Sequence, residues 1–341
     1  MLTRLLLLTT KSRVDFTFKD KIFAHIETWR PYTVIWSGLV SLAGACIAFE
    51  GLPSLRITLL ALFVPMMGWI AGLYLSDYLD RKLDSIQKPH RPIPSGRIKP
   101  KEALAIGAIF AITGFLLSFL LSLNNILLVF VVAALVFAYA KLSKSHGIIG
   151  NINRGLVTVA AYFFGVFSIG QSIQSIPIYI WLLSPLFLIH DTDSNLVGAI
   201  RDIKGDKRGG YMTIPVKYGI KKSLFISLVL SIAYMSLIVF VTNYFDFLQY
   251  RYRSYLIFLL GVIILATMYI TMFKSINNID RKKALLAHEF FVAERTILAS
   301  AFIFGMVSSV YISGSIFLIA ISITLVSQRS IRKKYEFMER K

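Results

Sequence analysis

The sequence has little charge for its length. Charged residues make up 16% of its 341 residues and hydrophobic residues make up 56%, whereas a soluble domain of this size would carry more charge. The single cysteine, Cys46, excludes an intramolecular disulfide and leaves the redox compartment open. The N-terminal residues contain only a four-leucine run. A signal-peptide core needs roughly 7–15 apolar residues, so we expect no cleaved signal.

Acidic residues are scarce relative to basic ones. The chain has 18 Asp and Glu against 37 Lys and Arg, which gives a formal net charge of +19. Such an excess can indicate a nucleic-acid partner. In a chain this apolar, basic loops that face the cytoplasm and anionic lipid headgroups explain it better. We therefore predict a lipid bilayer as partner and no nucleic acid.

Apolar runs long enough to cross a bilayer recur along the chain, since one span needs roughly 20 apolar residues. The predicted spans are 32–49, 57–79, 102–121, 126–140, 155–170, 178–200, 223–243, 254–273 and 296–312. A further apolar stretch, 315–326, either extends the last span as one tilted helix or forms a tenth span after a break at Ser313 and Gly314. His288 to Arg295 resembles an amphipathic interfacial helix. The sequence thus predicts an all-α, polytopic membrane bundle of about nine spans, with ten as the alternative, in one domain over 1–341.

Basic residues are distributed unevenly over the two sides that alternating spans define. With the N-terminus inside, the inside segments hold 28 Lys and Arg, the outside loops hold three, and six follow Gln328. This bias predicts that the N-terminal segment 1–28 and the long loops after spans two and six face the cytoplasm. Ten spans would also place the basic C-terminal tail, 328–341, inside.

Three aspartates end the second span. The segment reads SDYLDRKLD, in which Asp77, Asp80 and Asp84 are spaced i, i+3 and i+7 and share one helix face. Like charges on one face destabilise a helix unless a cation neutralises them, and Mg²⁺ prefers carboxylates together with substrate phosphates. These residues are therefore candidate metal ligands. The alternative is a solvated helix end that pairs with Arg81 and Lys82.

A proline-rich loop, KPHRPIPSG, follows this motif. Its three prolines forbid a helix and hold Lys88 and Arg91 near the carboxylates. Cations beside anions make sense if a polyanion such as a diphosphate must be bound. An ordinary positive-inside loop is the alternative.

A second acidic motif, RDIKGDKRGG, follows the sixth span. Asp202 and Asp206 are spaced i, i+4, and the adjoining basic residues that could bind a diphosphate are Arg201, Lys207 and Arg208. A stripe at steps of four and three continues from the motif into the span and comprises Asp191, Asn195, Gly198, Asp202 and Asp206. Such a stripe faces the bundle interior or a water-filled cavity. The alternative for Asp191 is a helix that starts late or is partly interfacial; we expect His190 and Asp193 to point elsewhere.

Two carboxylate clusters on one side of the membrane indicate two Mg²⁺ ions that hold a diphosphate. The metals and the basic residues would stabilise the leaving pyrophosphate, and the apolar bundle would shelter the allylic carbocation from water.

These motifs resemble those of the UbiA superfamily of membrane prenyltransferases. Within that superfamily, the loop sequences are most similar to those of the digeranylgeranylglyceryl-phosphate synthase and chlorophyll synthase branches. The similarity rests on SDYLDRKLD, KPHRPIPSG and RDIKGDKRGGYMTIPV, together with Tyr139 and Lys144 followed by GIIGN ending at Asn151. A weaker similarity is Arg30 and Pro31 at the first span. One departure is Ser76, where the family has an asparagine, so that a weaker hydroxyl ligand replaces an amide.

The resemblance implies an all-helical bundle around a central cavity. It implies Mg²⁺ at Asp80, Asp84, Asp202 and Asp206, with Ser76 and Asp77 as accompanying candidates. It also implies that Lys88, Arg91, Tyr139, Lys144 and Asn151 lie near the diphosphate or the reacting carbon.

Three functions remain open at this point. The first is transfer of a prenyl group from a prenyl diphosphate to an aromatic or hydroxyl acceptor, with Asp191 as a candidate proton acceptor. The second is a membrane terpene cyclase, in which the same ionisation precedes ring closure. The third is a transporter or lipid-binding protein without catalysis; the position of both motifs at the cytoplasmic mouth, away from the midplane, favours an enzyme.

Overall fold

The computed structural model describes residues 16–335, which form twelve α-helices and no β-strand. In chain order these helices are α1 (Phe18–Trp29), α2 (Pro31–Phe49), α3 (Leu55–Leu79), α4 (Arg81–Gln87), α5 (Pro100–Ser118), α6 (Leu123–Ala138), α7 (Ile148–Phe167), α8 (Ile178–Arg208), α9 (Ile214–Phe245), α10 (Arg251–Lys274), α11 (Arg281–Met306) and α12 (Val310–Tyr335). A π-helical turn, Tyr139–Ser143, continues α6. The predicted all-α class is confirmed. The expectation that no signal is cleaved concerns residues 1–15, which lie outside the described part.

Seven of the helices within residues 16–335 are long and apolar enough to cross a membrane. They are α2, α3, α5, α6 with its π-helical turn, α9, α10 and α12. Three further long helices, α7, α8 and α11, overlap predicted spans but carry more polar residues, many of them buried. These helices lie where the spans were predicted, so the polytopic membrane bundle is confirmed.

The last apolar region is broken, but not where the sequence suggested. Helix α11 ends at Met306 and α12 begins at Val310, whereas Ser313 lies inside α12. The break is stabilised from the N-terminal end of α10: Tyr250 N, from the residue before the helix, donates to Gly305 O at 2.9 Å, and Arg253 Nη1, from its first turn, donates to Ser308 O at 2.9 Å. Both alternatives from the sequence, one continuous tilted helix and a break at Ser313 and Gly314, are therefore wrong. A backbone donor and a side-chain donor near the start of α10 bind the end of α11 and the loop after it.

Helix α2 lies in the interior of the bundle and packs against α3, α7, α11 and α12. Two glycines allow its close approach to α7. A Cβ on Gly165 would lie 1.7 Å from Ser41 O, and one on Gly44 would lie 2.4 Å from Tyr162 O. Because lipid tails are as apolar as the core side chains, such close packing and interhelical hydrogen bonds stabilise the bundle more than burial does.

The interfacial helix expected at His288 to Arg295 is instead part of α11. Glu294 is fully buried and its Oε2 lies 2.7 Å from His190 Nε2 of α8. On the same side of α8, Ser231 Oγ donates to Asp193 Oδ2 at 2.6 Å. The polar residues of α11 therefore face other helices, which is why the amphipathic pattern was misread. As expected, His190 and Asp193 point away from the stripe of α8 that contains Asp191.

The basic C-terminal segment is helical and packed as far as the structure describes it. Helix α12 continues to Tyr335, and Gln328 and Arg332 are both buried. Gln328 Nε2 donates to Glu289 O at 3.3 Å. The predicted tail 328–341 thus begins within a packed helix, and residues 336–341 lie outside the described part.

Candidate active site

The aspartates of the first motif lie where α3 passes into α4. Asp77 is in the last turn of α3, Asp80 joins the two helices, and Asp84 lies in α4. Buried Asp77 accepts from Arg30 Nη2 at 2.7 and 3.0 Å. Arg91 Nη1 lies 2.6 Å from Asp84 Oδ2 and 3.4 Å from Asp77 Oδ1. The motif is thus a partly buried charge cluster held by basic residues distant in sequence, and not a solvated helix end.

The proline-rich loop contacts both aspartate motifs through its side chains. Backbone hydrogen bonds close its turns, among them Arg91 N to Lys88 O at 2.9 Å and Ile98 N to Pro92 O at 3.1 Å. Arg91 thereby returns to the first motif, while Lys88 Nζ lies 3.5 Å from Asp202 Oδ2 of the second. One short loop therefore places one cation at each motif.

The second motif lies in the last turns of α8. This helix is continuous from Ile178, which excludes the late-starting helix considered for Asp191. Arg201 Nη2 lies 2.6 Å from Asp202 Oδ2, and Thr213 Oγ1 donates to Asp206 Oδ2 at 3.2 Å.

The two carboxyl groups of the second motif differ in their electrostatics. Burial and the adjacent Asp202 charge raise the pKa of Asp206 to about 6. Burial alone would also raise the pKa of Asp202, but Arg201 and Lys88 hold it well below its usual range. Asp206 is therefore a carboxylate that a further cation would stabilise.

The remaining basic candidates near this motif are placed differently. Lys207 and Arg208 are exposed in the final turn of α8. The structure therefore brings Lys88, Arg91 and Arg201 to the aspartates and leaves these two side chains at the surface.

The π-helical turn after α6 brings Lys144 to the first motif, and π-bulges of this kind are frequent at functional sites. Lys144 Nζ contacts Asp80 Oδ2, and the same Nζ lies 5.8 Å from the centre of the Tyr211 ring. Tyr139, the first residue of the turn, lines the apolar cavity of the bundle. The turn therefore places Lys144 at the first motif and Tyr139 at the cavity.

A polar group of α7 and α8 lies deeper in the bundle. Asp191 precedes Asp202 by ~16 Å along α8. Asn195 Nδ2 donates to Asn151 Oδ1 at 3.3 Å, which links α8 to α7. Asp191 is 1% exposed, and its Oδ2 lies 3.5 Å from Arg154 Nε, beyond the length of a good hydrogen bond. The polar stripe of α8 therefore faces the bundle interior.

Sequence reasoning missed Arg154, which the orientation count treats as a loop charge. The structure places it in α7, with Cζ 4.7 Å from the Trp69 ring and 5.9 Å from the Tyr139 ring. The available signal was a charged residue three positions after Asn151 on an otherwise apolar helix. Arg30 carried only a weak signal; its left-handed φ of 48° marks the junction of α1 and α2, from which the side chain reaches the first motif.

An apolar cavity of about 410 Å³ adjoins this site. It lies between α3, α5, α6 and α7, and small residues such as Gly72, Gly107 and Ala111 contribute much of its wall. Its polar lining includes Ser76, Trp69, Tyr139 and Arg154. Ser76 thus faces the cavity next to the first motif, and Arg154 is the charged side chain in the described lining.

The donor set suits Mg²⁺ bound together with a diphosphate. Within residues 16–335, no three Asp, Glu, His or Cys side chains form a metal-binding group. Mg²⁺ does not require one, since it commonly binds one or two carboxylates and completes its coordination with water and substrate phosphates. Two acidic motifs with cations between them and a carboxyl of raised pKa fit that coordination.

The chain is similar to known proteins in sequence and in fold. Residues 37–294 match the sequence model of the UbiA prenyltransferase family. Digeranylgeranylglyceryl phosphate synthase of Pyrococcus horikoshii is 33% identical over 200 residues, which cover 59% of this chain and 70% of that protein.

Solved structures show the same fold. A structure of a digeranylgeranylglyceryl phosphate synthase aligns with a TM-score of 0.61 and 25% identity, over 84% of this chain and 98% of that one. A UbiA homologue from Archaeoglobus fulgidus bound to DMAPP and Mg²⁺ aligns with a TM-score of 0.55 and 17% identity, over 89% of this chain and 98% of that one.

Proposed function

Because the chain belongs to the UbiA prenyltransferase family, we propose that it binds a prenyl diphosphate with Mg²⁺ at the two aspartate motifs and transfers the prenyl group to a hydroxyl of an anionic, lipid-like acceptor. Pyrophosphate is the second product. The observation that carries this proposal is the proline-rich loop, in which Arg91 contacts the first motif and Lys88 the second, beside an apolar cavity.

The diphosphate end of the site combines carboxylates with cations. Asp80, Asp84, Asp202 and Asp206 would hold Mg²⁺, which when bound neutralises the charge that grows on the leaving pyrophosphate. Asp77 is held by Arg30 and anchors the cluster. The basic residues placed to donate to diphosphate oxygens are Lys88, Arg91, Lys144 and Arg201. Preorganised donors of this kind stabilise developing negative charge without reorganisation during the reaction.

The apolar cavity receives the prenyl chain. Its walls exclude water, which would otherwise capture the allylic cation. Tyr139 lines the same cavity, where its aromatic ring can stabilise positive charge on the reacting carbon.

Arg154 and Asp191 define the acceptor end. The relatives named digeranylgeranylglyceryl phosphate synthase form, by their name, a product with a glyceryl phosphate. Arg154 lines the cavity and its side chain is partly exposed, so its guanidinium can donate to an acidic headgroup. The acceptor oxygen forms a bond to the allylic carbon as the bond from that carbon to the diphosphate oxygen breaks, and the hydroxyl proton passes to Asp191.

The orientation of the site is part of the proposal. The positive-inside bias supports a cytoplasmic location of the two motifs and their basic loops in a multi-pass membrane protein. A water-soluble diphosphate headgroup would then enter from the cytoplasm and the prenyl chain from the bilayer.

The test uses purified full-length protein in nanodiscs with Mg²⁺ and allylic diphosphates of several lengths. Pyrophosphate release is measured without an acceptor, and then with glyceryl phosphate lipids, neutral alcohols or aromatic acceptors. Asp80→Asn and Asp202→Asn should abolish release. Asp246→Asn is the matched control, because this carboxylate is exposed in the loop between α9 and α10.

The product pattern distinguishes the alternatives. Release that requires an anionic acceptor supports transfer as proposed. A cyclic terpene formed without any acceptor would replace transfer by cyclisation. If no substrate combination yields pyrophosphate, the enzymatic proposal fails.

A further inference from the structure

The match to the family covers residues 37–294, and helix α12 lies after it. A side chain near the C-terminal end of α12 is nevertheless buried in the protein interior. Arg332 is fully buried. Its Nη2 lies 2.6 Å from His288 Nδ1, its Nη1 lies 3.6 Å from Glu289 Oε1, and its Cζ lies 4.9 Å from the Tyr32 ring centre. Burying a guanidinium is unfavourable unless partners compensate, so these three neighbours are what hold Arg332 in the interior.

The contact with Arg332 determines which nitrogen of His288 carries the proton. A guanidinium stays charged and has only N–H donors. His288 Nδ1 must therefore accept, because an N–H at that position would face another N–H. The imidazole is then neutral, and its proton is on Nε2.

The protonated edge of His288 faces α8 at Gly198. A Cβ built on Gly198 would lie 3.2 Å from both His288 Nε2 and His288 Cδ2. Gly198 precedes Asp202 by one helical turn, and both lie on the polar stripe of α8. The missing side chain at Gly198 therefore lets the Nε2–H group reach the face of α8 that carries the second aspartate motif.

We propose that His288 is a positioning residue of the second aspartate motif, and that Arg332 of α12 fixes the tautomer that directs the Nε2–H donor of His288 toward Asp202. This inference rests on the proposed function, because it assigns a partner to a carboxylate that would hold Mg²⁺. Hydrogen-bond donors behind a ligating group orient it and tune metal affinity. Helix α12 thereby contributes to the active site without contacting substrate.

Docking of α12 does not depend on Arg332 alone. Thr324 Oγ1 lies 3.2 Å from Thr296 Oγ1 of α11, and Gln328 Nε2 donates to Glu289 O at 3.3 Å. A substitution at Thr324 should therefore weaken α12 packing without changing His288. This makes Thr324→Val a control for a merely structural role.

The test compares four variants of the full-length protein with the wild type. Arg332→Met removes the donor to Nδ1, and His288→Asn keeps an acceptor toward Arg332 but removes the group that reaches α8. His288→Gln restores a donor near the Nε2 position. The measurements are the Mg²⁺ concentration for half-maximal pyrophosphate release, the affinity for Mn²⁺ without substrate by electron paramagnetic resonance, and the melting temperature.

We expect Arg332→Met and His288→Asn to raise the Mg²⁺ requirement and weaken Mn²⁺ binding by about tenfold to a hundredfold, the usual effect of losing such a partner. His288→Gln should recover most of the affinity. Thr324→Val should lower the melting temperature and leave the Mg²⁺ requirement unchanged.

Two outcomes would overturn the proposal. One is wild-type metal affinity in Arg332→Met and His288→Asn; the other is a loss of affinity in Thr324→Val as large as theirs. If the wild type releases no pyrophosphate, the proposed function fails on its own, and Mn²⁺ binding still tests the role of His288.

Discussion

The raised pKa of Asp206 leads to a quantitative prediction about metal affinity. Burial and the Asp202 charge raise this pKa to about 6, while Arg201 and Lys88 keep Asp202 ionised at lower pH against the effect of burial. A metal ligand must be deprotonated, so protons compete with Mg²⁺ at Asp206. Between about pH 7.5 and about pH 5, metal affinity should fall about tenfold, whereas an Asp of ordinary pKa would lose only about a tenth of its affinity.

The assay is Mn²⁺ binding without substrate, because phosphate groups titrate in the same range. Asp206→Asn should bind more weakly and lose the pH dependence. Thr213→Val removes the hydrogen bond from Thr213 Oγ1 to Asp206 Oδ2, which favours the charged carboxylate. The pKa should then rise by about half a unit to one unit, and the loss of affinity should begin at higher pH. Equal affinity at both pH values in the wild type, or a shift to lower pH in Thr213→Val, would refute the reasoning.

Three further predictions concern single side chains. Arg91→Lys keeps the charge but loses the planar guanidinium that joins two aspartates, so kcat should fall by about tenfold to a hundredfold in the pyrophosphate assay; wild-type kcat would argue against a role in the site. Arg154→Gln should raise KM for an anionic acceptor by about tenfold and leave KM for the prenyl diphosphate unchanged; equal effects on both constants would contradict an acceptor role. Gly165→Ala forces a Cβ to within 1.7 Å of Ser41 O and should destabilise the protein by about 1–3 kcal/mol or more, seen as a lower melting temperature, whereas Gly68→Ala, with open space at its Cβ, should melt like the wild type.

The bundle could be predicted because a membrane leaves few choices. Backbone groups in lipid must be hydrogen-bonded within the chain, so apolar runs of sufficient length become helices. The aspartate motifs were equally visible, since the i, i+4 spacing of Asp80 and Asp84 and of Asp202 and Asp206 can be read without knowledge of the rest of the fold. Helix ends were less predictable: the break after Met306 depends on Tyr250 and Arg253, which donate from the N-terminal end of α10.

The sequence pattern did not predict which residues the charged side chains contact. Counting Arg154 and Arg295 as loop charges hid that both lie in helices, with Arg295 buried. Hydropathy and charge bias describe each segment by itself. They do not say which helix a polar side chain faces.

The sequence by itself determined the helical membrane bundle, the two acidic motifs and the chemistry of diphosphate binding, because each depends on residues close together in the chain. Only the tertiary structure decided that Lys88 and Arg91 serve different motifs, that Arg154 lines the cavity, and that α12 brings Arg332 to His288. Those contacts join segments far apart in sequence, and their distances depend on how the helices pack, which no local pattern specifies.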